Sequence, residues 1–129
     1  MGLDTYAARN PDDPENDFGI TDEDIEAFEK AEIYLCGGVL SGSTGSFRGK
    51  VYSYLIYEIT GVDLYQEWIP LETVRSMWSA LENCDPEKVT KKALETLPFK
   101  EFSSPKTIKE LRKFFRVCAE RELGLINWW

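Results

Sequence analysis

The spacing of apolar residues predicts a mainly helical chain. The clearest pattern lies near the C-terminus, where apolar residues recur at every third or fourth position after Pro105, as on one face of an α-helix. Ser104 is typical of a helix start, and Gly124 stands where a helix would end. The predicted buried face consists of Ile108, Leu111, Phe115 and Cys118.

Start signals predict three further helices. Thr21 can cap a helix whose first turn is acidic, and Pro70 fits a first helical position. Asp85 followed by Pro86 is the strongest start signal in the chain, and Pro98 stops the helix that it opens.

The segment KVYSYLIYEITG at residues 50–61 fits two patterns. Its β-branched and aromatic residues favour a strand. Its apolar positions, however, fall on one helical face, and Gly61 stands where a C-terminal cap belongs. We therefore predict a helix here, which brings the expected number to about five.

The two ends of the chain resemble short extended segments. Residues 2–9 show a weak alternation, and the final LINWW is too apolar for a free tail. We expect Ile126 and at least one of Trp128 and Trp129 to pack onto the body, beside the N-terminal segment.

The predicted fold class is therefore mainly α, with about five helices around one core. The N- and C-terminal segments are candidates for a small two-stranded β element. A length of 129 residues suits a single globular domain over 1–129. Prolines and acidic residues at 10–20 predict an acidic loop or arm within it.

Composition indicates a core built on aromatic rings, since the chain holds six Tyr, seven Phe and four Trp. Three widely spaced cysteines, Cys36, Cys84 and Cys118, favour buried free thiols over a disulfide or a zinc site. No apolar run approaches the ~18 residues of a membrane helix, and the N-terminus lacks a secretory pattern. We expect a soluble, cytoplasmic protein without a membrane partner.

The negative charge is concentrated at one end. The net charge is −8, but residues 1–35 hold eleven carboxylates against Arg9 and Lys30, whereas residues 36–129 are nearly balanced. Such an acidic segment is usually a solvated face or arm. The alternative is a docking surface for a basic partner or a mimic of nucleic acid.

The residue types exclude several chemistries. The chain contains no histidine, which excludes Ser-His-Asp and Cys-His catalysis and histidine-ligated metals. No pair of carboxylates is placed in a recognisable catalytic or calcium-binding pattern. The sequence therefore predicts no catalytic residue, no metal site and no cofactor.

The glycine-rich stretch GGVLSGSTGSFRGK at residues 37–50 is the most suggestive motif. Its second half offers glycines, a predicted helix start and two cations, which are the ingredients of an anion site. The spacing matches neither the P-loop nor a dinucleotide fingerprint. In the anion-site hypothesis, Phe47 anchors the segment to the core, and Arg48 and Lys50 face outward. A plain mobile or packing loop remains the alternative.

A row of cations, Lys106, Lys109, Lys113 and Arg116, follows one face of the last predicted helix. Acidic residues interrupt it, so a solvated face is favoured. Because the whole molecule is acidic and phosphate contacts dominate nucleic-acid affinity, no nucleic-acid partner is expected.

Three short motifs, MGLD at the start, SFRGK before Tyr52, and GL followed by WW at the end, give the chain a resemblance to short prokaryotic and phage-associated proteins. No activity is established for that group. The resemblance therefore implies a cytoplasmic prokaryotic setting and assigns no role to any residue.

Three functional hypotheses follow. The leading one is a small, non-catalytic binding module that holds an anionic, phosphate-bearing ligand or partner. The first alternative is a protein-interaction or inhibitor module that acts on a basic partner through its acidic N-terminal region. The second is a small enzyme on a phosphorylated substrate, with Asp4 or Asp63 as acid/base. The leading hypothesis assigns binding to Gly45, Ser46, Arg48, Gly49, Lys50 and Tyr54.

Overall fold

The computed structural model describes residues 2–36 and 45–129, which form five α-helices and one four-stranded antiparallel sheet. The helices are α1 (Asp22–Lys30), α2 (Gly49–Thr60), α3 (Leu71–Asn83), α4 (Pro86–Thr96) and α5 (Pro105–Glu120). The strands are β1 (Asp4–Ala8), β2 (Ser46–Phe47), β3 (Trp68–Ile69) and β4 (Gly124–Trp128), in the order β2-β1-β4-β3.

The predicted fold class is confirmed, and the sheet is larger than expected. The terminal segments pair as β1 and β4, and two strands of only two residues each extend the pair at its edges. Residues 68–69 lie in a connector without a strand-length alternation, so no pattern there predicts that β3 joins the sheet.

Three helix starts follow the predicted caps, whereas Pro70 precedes α3 and does not occupy its first position. The hydroxyl of Thr21 accepts a hydrogen bond from the Asp24 amide at 3.2 Å, and Asp24 accepts one from the Thr21 amide in return. Asp85 caps α4, and Ser104 caps α5 in the same way. Residues 50–61 form a helix as predicted, which Gly61 ends in the left-handed conformation.

Gly124 has a different role from the one predicted. Helix α5 ends at Glu120, and Gly124 begins β4 instead of capping the helix. A Cβ atom at Gly124 would lie 2.5 Å from the carbonyl oxygen of Ile69 and 2.6 Å from the ring of Trp68. Glycine is required here because β3 approaches β4 closely.

The two faces of the sheet carry different side chains and are covered by different segments. On the inner face, the Thr5 hydroxyl donates a hydrogen bond to the side-chain oxygen of Asn127 at 2.7 Å, and α2 packs so closely that Gly49 has no room for a side chain. The outer face carries Tyr6 and Trp128. The helices cover the inner face of the sheet, and the N-terminal segment packs against part of the outer face.

Aromatic rings fill the core beneath the inner face. Phe47 is 1% exposed and contacts three other rings edge-on or tilted. The four apolar residues predicted on α5 are all buried. The fully buried phenylalanines are Phe28, Phe47, Phe114 and Phe115.

The three thiols are free, and they differ in burial. Cys118 is fully buried, and desolvation raises the pKa of its thiol well above the usual range. Cys84 is partly buried, whereas Cys36 is exposed, so the prediction of a buried thiol is wrong at that position. Two hydrogen bonds fix the backbone of Cys36. Its amide donates to the Tyr52 hydroxyl, and its carbonyl accepts from the Arg48 amide.

An ion cluster around Asp24 ties the N-terminal segment to the body. The Asp24 carboxylate is fully buried and accepts hydrogen bonds from both terminal nitrogens of Arg9, at 2.8 and 3.0 Å, and from Arg121 at 2.8 Å. Burial alone would raise the pKa of Asp24. The bonds from Arg9, the Thr21 amide and Arg121 outweigh it and hold that pKa well below its usual range.

Within residues 2–36 and 45–129, none of the helices has the length and apolar character needed to cross a bilayer.

Candidate functional site

The predicted anion-binding residues lie where the chain enters α2. The stretch 37–44 of the glycine-rich motif lies outside the described residues, and the description resumes at Gly45. Gly45 has φ +90°, a conformation that favours glycine. Phe47 anchors the segment in the core, as predicted.

Several backbone groups of this segment already have partners. The Arg48 amide donates to the Cys36 carbonyl at 2.7 Å, and the Lys50 amide, in the first turn of α2, donates to the Leu3 carbonyl at 3.0 Å. Ser46 is a buried residue of β2, and Gly49 is buried against the sheet. The convergent amides that an anion site needs are therefore only partly available here.

The charged side chains of this segment are the groups that favour binding of an anion. Arg48 and Lys50 are both half-buried, and no described carboxylate lies within 4.0 Å of either one. The first turn of α2 contains no acidic residue. Tyr54 is 50% exposed, one turn beyond Lys50, and its ring centroid lies 6.1 Å from that of Phe99.

A larger concave surface lies on the outer face of the sheet. We call it the aromatic groove. Its volume is about 770 Å³, and it runs between the N-terminal acidic segment and the C-terminal strand. Its described lining residues are Pro11, Asp12, Pro14, Phe18, Glu67, Trp68, Ile126, Asn127, Trp128 and Trp129.

The groove presents indole rings to solvent. Trp128 is 56% exposed and Trp129 is 52% exposed, although both have aromatic neighbours. The Trp128 ring lies 5.6 Å from Tyr6 and 5.8 Å from Phe18, and the Trp129 ring lies 5.6 Å from Tyr65. Ile126 is buried and Trp128 packs on the body as expected, yet about half of each tryptophan remains exposed.

A strained turn holds Phe18 against Trp128. Asp17, Phe18 and Gly19 have consecutive positive φ angles of 51°, 57° and 82°. The amides of Arg9 and Asn10 both donate to the Phe18 carbonyl, at 2.9 and 2.8 Å. The chain thus adopts an unfavourable conformation at two non-glycine residues and thereby closes one wall of the groove.

The charge of the groove is negative. Asp12 and Glu67 are exposed, and no Lys or Arg is among the described lining residues. Asp4 lies on an adjoining hollow that shares Trp128 and Trp129 with the groove. Carboxylates beside exposed indole faces form a surface that attracts cations, both by charge and by cation–π contact.

The sequence contained both halves of the groove without showing that they meet. The acidic segment and the Trp-rich end lie more than a hundred positions apart in the sequence. Pairing of β1 with β4, in which Asp4 stands opposite Trp128, brings them together. The prediction of two terminal strands was the signal that could have located the groove.

A second, smaller cleft of about 430 Å³ lies between α1 and α5. It is lined by Lys30, Lys113, Arg116 and Arg121, each of which already has a carboxylate partner. Among the described residues, no group of three or more potential ligands is placed to hold a metal ion.

No family model matches the sequence, and comparisons with curated proteins and with solved structures also find no match.

Proposed function

We propose that the protein is an interaction module that binds a basic segment of a partner protein in the aromatic groove. The observation that supports this function is the meeting of exposed indole rings with exposed carboxylates in one concave surface. Trp128 and Trp129 supply the rings, and Asp12 and Glu67 supply the charge.

The charge distribution of the whole chain supports the same function. The excess negative charge lies in residues 1–35, and residues 10–20 of that segment form one wall of the groove. A field of one sign steers an oppositely charged partner and raises the association rate. Tryptophan contributes more binding energy at interfaces than most residues, because its large ring buries much area at little entropic cost.

The test uses a short fluorescent peptide that alternates basic residues with serine, and measures its anisotropy as the protein is added. Trp128→Ala is expected to weaken binding about tenfold, since it removes a cation–π contact and buried apolar area. Raising the salt from about 0.05 M to about 0.3 M is expected to weaken binding further by screening.

A matched pair of variants separates the groove from general charge. Asp12→Asn/Glu67→Gln removes two carboxylates of the groove, and Glu23→Gln/Glu29→Gln removes two exposed carboxylates of α1. The first pair is expected to lose about tenfold in affinity, and the second to change little. Equal losses would show that only net charge matters and would contradict the proposed site.

A second candidate function is the binding of an anionic ligand at the start of α2, through Arg48 and Lys50. Two half-buried cations that have no carboxylate partner within the described ranges 2–36 and 45–129 favour it, at a helix whose first turn is free of acidic residues. Gly45, Ser46 and Gly49 would shape the backbone there, and Tyr54 would flank the ligand.

Thermal unfolding with added inorganic phosphate or nucleotide tests this second function. Phosphate should raise the midpoint of the wild type, because a ligand that binds only the folded state stabilises it. Arg48→Ala/Lys50→Ala should abolish that rise. The control is Lys106→Ala/Lys109→Ala, which removes two exposed cations from the start of α5. An equal rise in all three proteins would contradict a site at α2.

A further inference from the structure

We infer that the aromatic groove selects arginine over lysine in its partner. This inference rests on the proposed function and names the chemistry that the groove recognises. The relevant features are its flat, half-exposed indole faces and the two carboxylates that line it from different segments.

The rings favour a planar cation. The Trp128 ring packs against Tyr6 and Phe18, and the Trp129 ring packs against Tyr65, while about half of each tryptophan stays exposed. A guanidinium group stacks flat on such a face, whereas an ammonium group contacts it only at a point.

The carboxylates favour a cation with several donors in one plane. Asp12 belongs to the N-terminal segment and Glu67 to the segment before β3. A guanidinium stacked on an indole directs its N–H groups outward in its own plane, parallel to the ring, where carboxylates that line the groove can accept them.

Solvation adds to the preference. Asp12 and Glu67 are exposed, so the groove stays in contact with water. An ammonium group is strongly hydrated and gains little by leaving water for an open surface. A guanidinium group is weakly hydrated and loses less when one of its faces is covered.

Anisotropy titrations with two matched peptides test the inference. One alternates Arg with Ser, the other alternates Lys with Ser, and a third with norleucine in place of the cation controls for apolar contact. The arginine peptide is expected to bind about fivefold more tightly than the lysine peptide, and Trp128→Ala should reduce that ratio toward one.

The outcomes separate the inference from the function on which it rests. Equal affinity for the arginine and lysine peptides, with both lost in Asp12→Asn/Glu67→Gln, would overturn the arginine preference and leave the groove as a site for basic segments. Binding of neither peptide would overturn both. A preference for arginine that Trp128→Ala leaves unchanged would also overturn the inference, because stacking would not be its source.

Discussion

Replacing Asp24 with asparagine is expected to lower the free energy of unfolding by about 3 kcal/mol. The Asp24 carboxylate is fully buried and accepts hydrogen bonds from Arg9, Arg121 and the Thr21 amide. The asparagine side chain has the same size but carries an NH₂ group in place of one acceptor oxygen. That NH₂ group faces partners that also donate, so at least one of the hydrogen bonds is lost. Urea unfolding, followed by circular dichroism, measures the change.

The loss of stability caused by Asp24→Asn is expected to depend on pH. Because the folded-state pKa of Asp24 is lowered, its stabilisation is fully present above its unfolded pKa of about 3.9 and is lost as the pH falls toward the folded value. The stability gap between wild type and Asp24→Asn should therefore be constant above about pH 5 and narrow below about pH 4.

Glu26→Gln is the matched control for Asp24→Asn. Glu26 lies on the same helix and pairs with Lys30, but both side chains are exposed. The control should unfold like the wild type at neutral pH. A loss in Asp24→Asn no larger than in Glu26→Gln would show that the Asp24 cluster does not hold the N-terminal segment to the body.

Replacing Phe47 with alanine is expected to cost about 3–5 kcal/mol of unfolding free energy. The ring is almost completely buried and packs on Tyr52, Phe114 and Phe115, whose rigid rings fill a cavity poorly. The effect combines the lost transfer free energy of the ring with the cavity that remains.

Tyr54→Ala supplies the comparison for Phe47→Ala. Tyr54 is also aromatic, lies on α2, and is half exposed, so its removal should cost under about 1 kcal/mol. Urea unfolding of both variants under the same conditions distinguishes them. Comparable losses would mean that the aromatic cluster around Phe47 is not the centre of the core.

Local signals explain how much of the fold the sequence could predict. Thr21, Asp85 and Ser104 define helix starts through hydrogen bonds within a few residues, so their patterns are readable in the sequence. Gly124 was misassigned because a glycine after a helix resembles a cap. Its real constraint is the approach of β3, more than fifty residues earlier in the chain.

The candidate site was less predictable because it depends on long-range pairing. The predicted residues at Gly45–Lys50 are contiguous, yet the structure uses the amides of Arg48 and Lys50 for contacts with Cys36 and Leu3. The aromatic groove joins residues from both ends of the chain and from the segment before β3. A sequence pattern alone does not show which exposed rings and carboxylates will share one surface.

The indole N–H signals of the four tryptophans test the central claim most directly. Trp68, Trp128 and Trp129 line the groove, whereas Trp78 on α3 donates its indole N–H to Glu82 and serves as an internal control. Single Trp→Phe variants assign the four signals in a ¹H–¹⁵N spectrum. Titration with the arginine peptide should shift the three groove signals and leave Trp78 unchanged. Unchanged groove signals at saturating peptide, or a shift of Trp78 as large as theirs, would contradict binding in the groove.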